Sequence, residues 1–290
     1  MAGAIGQNDN SHEQLQMIVH LIDGTYELFR HFYGIRRFKK TDPPFGAVSG
    51  VLNTIVKMIS DGATHIGVAT DHVIESFRNP LWPGYKTGAG IERALKAQFI
   101  PLEEALVAMG VTVWAMVEFE ADDALAAAAH RAAKDKRVEK VCIWTPDKDL
   151  AQCVTGDRVV QIDRRSGQIR DEEAIRIKFG VSPKFIPDYL ALVGDSADGY
   201  PGIAGYGAKT AAQLINRYGR LEDFPDEVFR DGNRDHALLF KTLATLRLDV
   251  PMFKNIDELQ WGGPTADFES MAEKIGDVRL VANVARASRS

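Results

Sequence analysis

Short apolar runs that alternate with helical stretches constrain the fold of this chain more than any other feature. Five runs have the length and apolar content of buried strands, at residues 17–22, 65–70, 111–117, 141–145 and 158–162. Stretches with helical periodicity lie between them, at residues 47–60, 91–109 and 122–136. The last of these is rich in alanine, a strong helix former. Strands that alternate with helices predict an α/β fold built on a parallel sheet.

The second half of the chain is predicted to be mostly helical, because the strand signal fades after about residue 172. Helical stretches follow at residues 172–179, 184–193, 208–218, 234–246, 271–275 and 278–285. We predict a sheet domain over residues 15–180, a helical region over 181–250, and a segment over 251–290 that packs back on the sheet domain. Residues 1–14 are polar and are predicted to be a disordered tail without the layout of a secretory signal.

Acidic residues follow four of the predicted strands, at the point where each strand ends. In chain order they are Asp23, Asp71, Glu118, Glu120, Asp122, Asp123, Asp147 and Asp149, and Asp195 and Asp198 follow the helical stretch 184–193. A single such acid is ordinary at a turn or a helix N-terminus, which is how we interpret Asp171 and Asp188. Since the carboxyl ends of parallel strands share one sheet edge, the other acids are predicted to meet there.

Carboxylates gathered in this number repel one another and cannot all remain ionised without bound cations. Oxygen ligands without clustered cysteine or histidine favour magnesium or manganese over zinc, and the chain has only Cys142 and Cys153. Two such ions about 4 Å apart form the clamp used for in-line phosphoryl displacement. The net charge of −5 argues against a nucleic-acid partner, but two bound divalent ions would bring it to roughly −1.

A glycine-rich stretch, Tyr200-Pro-Gly-Ile-Ala-Gly-Tyr-Gly-Ala-Lys-Thr-Ala211, is predicted to be a tight turn between two helices. It is not a P-loop, since Ala208 precedes Lys209, and its glycine order differs from the dinucleotide-binding fingerprint. Its backbone N–H groups and Lys209 are suited to hold a phosphate, although a plain connecting loop is the alternative. The segment 74–90 is rich in proline and glycine and is predicted to be a surface loop.

Six ordered motifs, spread from about residue 17 to the C-terminus, resemble the 5′ nuclease superfamily of flap endonucleases and the 5′ nuclease domain of bacterial DNA polymerase I. They are Leu-Ile-Asp23-Gly, Asp71 with Ser76-Phe77-Arg78, Gly84-Tyr85-Lys86, Glu120-Ala-Asp122-Asp123, Thr-Pro-Asp147-Lys-Asp149-Leu, and Gly194-Asp195-Ser-Ala-Asp198-Gly-Tyr-Pro-Gly202-Ile-Ala-Gly-Tyr-Gly207-Ala-Lys-Thr. The resemblance implies a free-standing bacterial-type enzyme with a PIN-like α/β nuclease domain and a helix-three-turn-helix DNA-binding region.

The same resemblance implies roles for individual residues. Asp23, Asp71, Glu120 and Asp122 would surround one divalent metal ion, Asp147, Asp149, Asp195 and Asp198 the other, and Asp123 would support the metal cluster. Lys86 and Arg78 would contact the scissile phosphate, under an arch formed by about residues 78–105. DNA contacts are implied for Phe29, Tyr85, Gly202, Gly205, Gly207, Lys209 and Thr210, with a base stacked on Phe29. The glycine-rich turn would also bind a monovalent cation such as K⁺.

The activity implied is metal-dependent 5′–3′ exonuclease and flap endonuclease cleavage of DNA, in primer removal or repair. The implied partners are DNA with 5′ ends or 5′ flaps and RNA–DNA primers, and the family is usually monomeric. Two lone cysteines, and apolar runs shorter than the ~18 residues of a membrane span, predict a cytoplasmic protein. Two positions depart from the family: Ala89 replaces a common arginine, and Gly199 replaces a frequent asparagine.

Three other interpretations of these residues are open. A PIN-type ribonuclease shares the acidic sheet edge but usually lacks a helical part such as residues 183–219. A phosphomonoesterase with an aspartate nucleophile would use Asp147-Lys-Asp149, although that class has its D-x-D motif after the first strand. A non-catalytic, structure-specific DNA-binding protein would not need the full set of acids.

Overall fold

A six-stranded sheet forms the centre of the computed structural model, which describes residues 17–36, 43–229 and 232–289. The strands are β1 (Met17–Asp23), β2 (His65–Asp71), β3 (Thr112–Met116), β4 (Val138–Trp144), β5 (Val159–Asp163) and β6 (Gln168–Arg170). Their order is β3-β2-β1-β4-β5-β6; the first five run parallel and β6 is antiparallel to β5. The predicted α/β fold is therefore confirmed, with one antiparallel edge strand added.

Helices pack on both faces of this sheet. The first five are α1 (Gly24–Arg36), α2 (Gly46–Ser60), α3 (Arg93–Lys96), α4 (Phe99–Ala108) and α5 (Ala121–Ala132). On one face, α2 and α4 bury Leu52 and Leu106 against Val68 of β2. On the other face, α5 packs on Val19 and Leu21 of β1. Because most of the buried residues of α5 are alanines, the helix approaches the sheet closely and brings its acidic first turn to the strand ends.

The second half of the chain forms a helical unit and then returns to the sheet. Its helices are α6 (Glu172–Phe179), α7 (Ile186–Val193), α8 (Ala208–Tyr218), α9 (Arg234–Ala244), α10 (Phe268–Ile275) and α11 (Arg279–Ala287). Helices α6 to α9 share a core of their own, which includes Leu190, Ile215 and Phe240. After α9 the chain returns, and the Trp261 amide donates to the Thr64 carbonyl at 2.8 Å. Helices α10 and α11 then pack in the same core as α2 and α4.

Several local features differ from the sequence predictions. Helix α1 was not predicted, and the single helix expected over residues 91–109 is divided into α3 and α4. Asp171 caps α6 by accepting a hydrogen bond from the Ala174 amide at 2.8 Å, as predicted. The predicted tail, residues 1–14, lies outside the described residues. Within the described ranges, no helix combines the length and apolarity needed to cross a membrane.

Candidate metal centre

The acids that follow the strands lie at one edge of the sheet. Asp23 and Asp71 are the last residues of β1 and β2, which pair side by side. The chain after β4, the start of α5 and the turn after α7 contribute Glu120, Asp122, Asp147, Asp149, Asp195 and Asp198. The carboxylates are near enough to shift one another's pKa. The predicted meeting of acids from separate elements is therefore observed, although Glu118 is exposed.

The tightest part of this cluster is formed by Asp149, Asp195 and Asp198. Each is buried, and each offers an oxygen within 4.8 Å of the other two. The Asp149 Oδ1 atom is fully buried and accepts no hydrogen bond from any described residue. A buried carboxylate oxygen without a donor is unfavourable unless a cation or water is bound to it. Three converging carboxylates with an oxygen left over therefore fit a hard divalent cation.

Asp23 is held in place by the element that follows it. Its Oδ1 atom accepts the Tyr26 amide at 2.8 Å, which caps the start of α1, and its Oδ2 atom accepts the Thr145 hydroxyl at 3.0 Å. Burial, with the added repulsion of Asp71 and Asp147, nevertheless raises the pKa of Asp23 to about 7. The carboxylate is thus oriented by the fold but is costly to ionise without a positive charge nearby.

Four further acids show the same effect. Burial is the largest cause for each of them, and the net result is a raised pKa for Asp71, Asp122, Asp147 and Asp149. Glu120 is the exception. Burial opposes its ionisation, but Lys86 and Arg78 outweigh that effect and lower its pKa. The centre therefore holds more negative charge than the protein's own cations neutralise, as expected of a metal site.

Lys86 lies between two parts of the cluster. Its Nζ atom is 2.7 Å from Glu120 Oε2 and 3.1 Å from Asp198 Oδ1. The backbone holds it there, since the Lys86 amide donates to the Asp198 carbonyl at 2.9 Å and Trp82 Nε1 donates to the Gly199 carbonyl at 3.0 Å. The predicted surface loop is thus anchored on the acidic turn, and its lysine is partly exposed beside the cluster of carboxylates.

Gly199 allows the loop of residues 74–90 to approach the turn that carries Asp195 and Asp198. Its φ of +83° lies in the left-handed region, and a Cβ atom there would be 2.0 Å from the Gly84 carbonyl oxygen. An asparagine at this position would therefore collide with the backbone of the loop in this arrangement. The departure from the family pattern at Gly199 matches the close packing that places Lys86.

Arg78 occupies a different position from the one predicted. Its side chain is 1% exposed and forms two 2.7 Å bonds to the Asp123 carboxylate, which is itself fully buried. Its remaining donors are accepted by the backbone carbonyls of Leu243 and Thr245 and by Glu120 Oε1 at 3.1 Å. Contact between Arg78 and a phosphate does not fit this enclosure. The pair instead ties the start of α5 to the end of α9, and Asp123 supports the cluster without an open oxygen.

Of two further predicted DNA-contact residues, Tyr85 is buried and Phe29 is partly buried. Tyr85 is 3% exposed, and its hydroxyl donates to Glu120 Oε2 at 3.3 Å. Phe29 packs edge-on against Phe99 with ring centroids 6.1 Å apart, while its neighbour Tyr33 is exposed. Helix α4 belongs to the core, so the part of the predicted 78–105 arch from residue 99 onwards is buried on its apolar side.

The glycine-rich turn, by contrast, faces solvent as predicted. Gly205, Gly207, Lys209 and Thr210 are exposed, and Gly202 is partly buried. Gly207 directly precedes α8, so the first N–H groups of that helix open towards the turn. Gly202 has a φ of +69°, and a Cβ atom there would meet the Gly194 amide at 2.3 Å. This contact fixes the turn against the end of α7 and therefore against Asp195.

Four supporting residues were missed by sequence reasoning. Thr145 orients Asp23, and the Ser76 hydroxyl donates to Glu120 Oε1 at 2.7 Å. Lys148 Nζ lies 2.8 Å from Asp195 Oδ2, and the Tyr200 hydroxyl is buried without a partner among the described residues. A position within two residues of an acid in the sequence was a usable signal for Thr145, Lys148 and Tyr200, whereas Ser76 reaches Glu120 only through the fold.

Known families match this chain over most of its length. A family model described as 5'-3' exonuclease, N-terminal resolvase-like domain, matches residues 18–180, and one described as 5'-3' exonuclease, C-terminal SAM fold, matches residues 181–267. The 5'-3' exonuclease of Buchnera aphidicola subsp. Baizongia pistaciae is 35% identical, covering 81% of this chain and 77% of the relative. DNA polymerase I of Pseudomonas aeruginosa is 33% identical, but this chain spans only 29% of its length.

Solved structures share the fold at lower identity. T5 5'-exonuclease with bound zinc superposes with a TM-score of 0.58 at 19% identity, covering 93% of this chain and 92% of that one. The catalytic core of Rad2 in complex with DNA substrate gives a TM-score of 0.62 at 14% identity, covering 94% and 93%. These structures show the shared fold, while the two family models and the relative at 35% identity establish that the chain belongs to the 5'-3' exonuclease family.

Proposed function

We propose that this protein is a magnesium- or manganese-dependent nuclease that hydrolyses DNA from 5′ ends and at 5′ flaps. The observation that carries the proposal is the convergence of Asp149, Asp195 and Asp198 within 4.8 Å, with one buried carboxylate oxygen left without a donor. Membership of the 5'-3' exonuclease family supports the substrate class.

The acids divide into two neighbouring groups. Asp23, Asp71, Glu120 and Asp122 are proposed to hold one divalent ion, and Asp147, Asp149, Asp195 and Asp198 the other. When bound, two such ions supply an activated water and neutralise charge on the phosphate in the transition state. Thr145 and Tyr26 fix the direction of the Asp23 carboxylate, and Asp123 fixes the start of α5.

Lys86 is the cation that the fold places beside the reacting phosphate in this proposal. It is partly exposed, and its two carboxylate partners are both proposed metal ligands. Metal binding to Glu120 and Asp198 would weaken their hold on the ammonium group, which could then bind a phosphate oxygen. Arg78 would act only through Asp123 and Glu120, as a positioning residue.

The exposed turn at Gly202–Gly207 is proposed to hold the duplex backbone, with Lys209 and Thr210 contributing side chains and K⁺ binding at its carbonyls. Phe29 and Tyr33 lie on α1 with their ring centroids 6.3 Å apart, and a DNA base would reach the exposed Tyr33 first. We propose a monomer acting in the cytoplasm on DNA and RNA–DNA primers, in replication or repair. Two unpaired cysteines are compatible with that reducing compartment.

A duplex with a labelled 5′ single-stranded flap tests the proposal directly. The protein is incubated with it in magnesium, in manganese and in chelator, beside intact duplex, single-stranded DNA and single-stranded RNA. We expect metal-dependent cleavage near the flap junction, with some release of nucleotides from free 5′ ends. Preferential cleavage of the RNA would favour a PIN-type ribonuclease, and binding without cleavage in any metal would favour a non-catalytic DNA-binding protein.

Substitution Lys209→Ala is expected to weaken duplex binding and to lower the slope of log affinity against log salt by roughly one, since one phosphate contact is lost. Fluorescence anisotropy with blunt duplex at several salt concentrations measures both effects. Lys274→Ala is the matched control, because Lys274 is exposed on α10 and pairs with Glu104 at 2.7 Å. An unchanged salt slope in Lys209→Ala would remove the turn from the DNA interface.

The metal-free protein is expected to lose part of its stability as the pH rises from 3.8, the ordinary pKa of an aspartate, to about 7, the pKa of Asp23 in the folded chain. The folded chain keeps the Asp23 proton up to about pH 7, whereas the ordinary pKa is 3.8, so the folded state binds more protons in between. Magnesium should therefore raise the melting temperature more at about pH 8 than at about pH 5.5, where it must displace that proton. Scanning calorimetry with magnesium, with chelator, and with KCl at matched ionic strength tests this. An equal magnesium effect at both pH values would contradict it.

A further inference from the structure

A cavity lined by both apolar and polar residues lies apart from the acidic edge, on the face of the sheet beside α1 and α2. Its volume is about 700 Å³, within the range of small-molecule sites. Its polar and aromatic lining comes from His20, Arg30, His31, Thr54, Trp144 and Arg164. None of the proposed metal-binding acids is among its described lining residues, so the cavity is separate from the metal centre.

Two arginines in this cavity share one carboxylate. Glu27 is fully buried; its Oε1 atom accepts Arg164 Nε at 3.0 Å, and its Oε2 atom accepts Arg30 Nε at 3.0 Å. Lys57, at the rim, is balanced by Asp61 at 2.8 Å. The described groups of the cavity therefore carry one positive charge in excess.

The guanidinium groups also retain hydrogen-bonding capacity. Arg164 Nη2 is directed at the Met58 sulfur at 3.0 Å, and a thioether is a weak acceptor. The Arg164 plane lies over the Trp144 ring at 4.2 Å, and its side chain is 18% exposed. An anion with strong acceptor oxygens would offer Arg164 a better partner than the sulfur does.

The two histidines add neutral groups to the lining of the cavity. Burial, followed by repulsion from Arg164, lowers the pKa of His20 to about 4; for His31, burial followed by repulsion from Arg30 and Arg164 also lowers it to about 4. Both rings are therefore neutral near pH 7. His20 Nδ1 accepts from Trp144 Nε1 at 3.0 Å, which leaves its Nε2–H as a donor. The cavity thus offers cations and neutral donors, together with an indole ring.

We propose that this cavity binds the phosphate group of a nucleotide, with Arg164 and Arg30 on the phosphate and the nucleoside near Trp144. A fork of guanidinium donors suits phosphate oxygens better than a lone ammonium group does. The aromatic ring and the Thr54 and His20 groups distinguish a nucleotide from inorganic phosphate. The proposal does not depend on nuclease activity, because the cavity lies apart from the metal centre.

Titration calorimetry in chelator tests this binding on the full chain. The probes are deoxyadenosine monophosphate, deoxyadenosine, inorganic phosphate and a short single-stranded oligonucleotide with a 5′ phosphate. We expect the monophosphate or the oligonucleotide to bind, and the stronger of the two identifies the phosphate source. Arg164→Gln should weaken that binding by at least about tenfold, since a charge-assisted phosphate contact is lost. Asp147→Asn, at the metal centre, should leave it unchanged.

Imidazole NMR signals give a second readout that does not require a variant to fold. The His20 and His31 resonances should shift on adding the bound nucleotide, while the signal of His236 on α9 should not. Four results would overturn the proposal: no binding of either nucleotide probe, an unchanged affinity in Arg164→Gln, binding of inorganic phosphate as tight as that of the nucleotide, or unmoved His20 and His31 resonances.

Discussion

Substitution Asp147→Ala is expected to reduce flap cleavage by roughly a thousandfold, which corresponds to about 4 kcal/mol of transition-state stabilisation. Asp147 lies between the two groups of acids, since its charge raises the pKa of Asp23 and Asp122 on one side and of Asp149 on the other. Its removal therefore disturbs both proposed ion sites. Binding of flap DNA should persist, because the exposed turn around Lys209 is unchanged.

The same substitution should not destabilise the metal-free protein. Asp147 is partly exposed, and its carboxylate receives only one hydrogen bond from the described residues, from the Asp149 amide at 2.9 Å. Because a repelling charge is removed, the melting temperature in chelator should stay level or rise. Single-turnover kinetics measure the rate of flap cleavage, fluorescence anisotropy measures the binding of flap DNA, and scanning calorimetry measures the melting temperature in chelator. Asp157→Ala is the control and should cleave normally, because Asp157 is exposed and follows the short 3-10 helix Asp149–Cys153. Wild-type cleavage by Asp147→Ala would refute the proposed ligand set.

Substitution Arg78→Met is expected to lower the free energy of unfolding by about 3–5 kcal/mol. The reason is that the Asp123 carboxylate, which is 0% exposed, would lose both of its 2.7 Å guanidinium bonds. Glu120 would also lose a cation that lowers its pKa. Urea denaturation in chelator measures the loss. Nuclease activity should fall as well, since both acids position the start of α5.

Two matched variants separate this effect from a general loss of packing. Arg78→Met combined with Asp123→Asn should recover part of the stability, because the uncompensated buried charge is gone. Lys57→Ala should cost less than about 1 kcal/mol, since its pair with Asp61 is exposed on both sides. If Arg78→Met were as stable as the wild type, Arg78 would be free to leave Asp123, and the predicted phosphate contact would regain its place.

The sheet could be predicted from the sequence because its strands are buried apolar runs with acids at their ends. Helix α1 could not, because Tyr26, Phe29, Phe32 and Tyr33 are weak helix formers. That helix depends on the cap from Asp23 and on packing in the core. Strand β6 has only three residues and exists through its pairing with β5, so it leaves no local pattern.

The acids of the centre and Lys86 could be predicted, but the position of the Arg78 side chain could not. Strand-end position is a local property, and parallel pairing then brings Asp23 and Asp71 to one edge. The destination of Arg78 is decided by residues far away in sequence, since it reaches Asp123 and the end of α9. The motif marked Arg78 as functional, and only its burial distinguishes a positioning role from contact with substrate.

The central claim, that the acidic sheet edge is a site for two divalent ions, is tested most directly by manganese titration calorimetry without DNA. The account predicts two manganese ions per wild-type chain. It predicts one ion for the double variant Asp195→Asn/Asp198→Asn, which keeps the shape of the tightest carboxylate group but removes its charge. A wild-type chain that binds no manganese, or a double variant that binds the same number of ions with the same affinity, would contradict it.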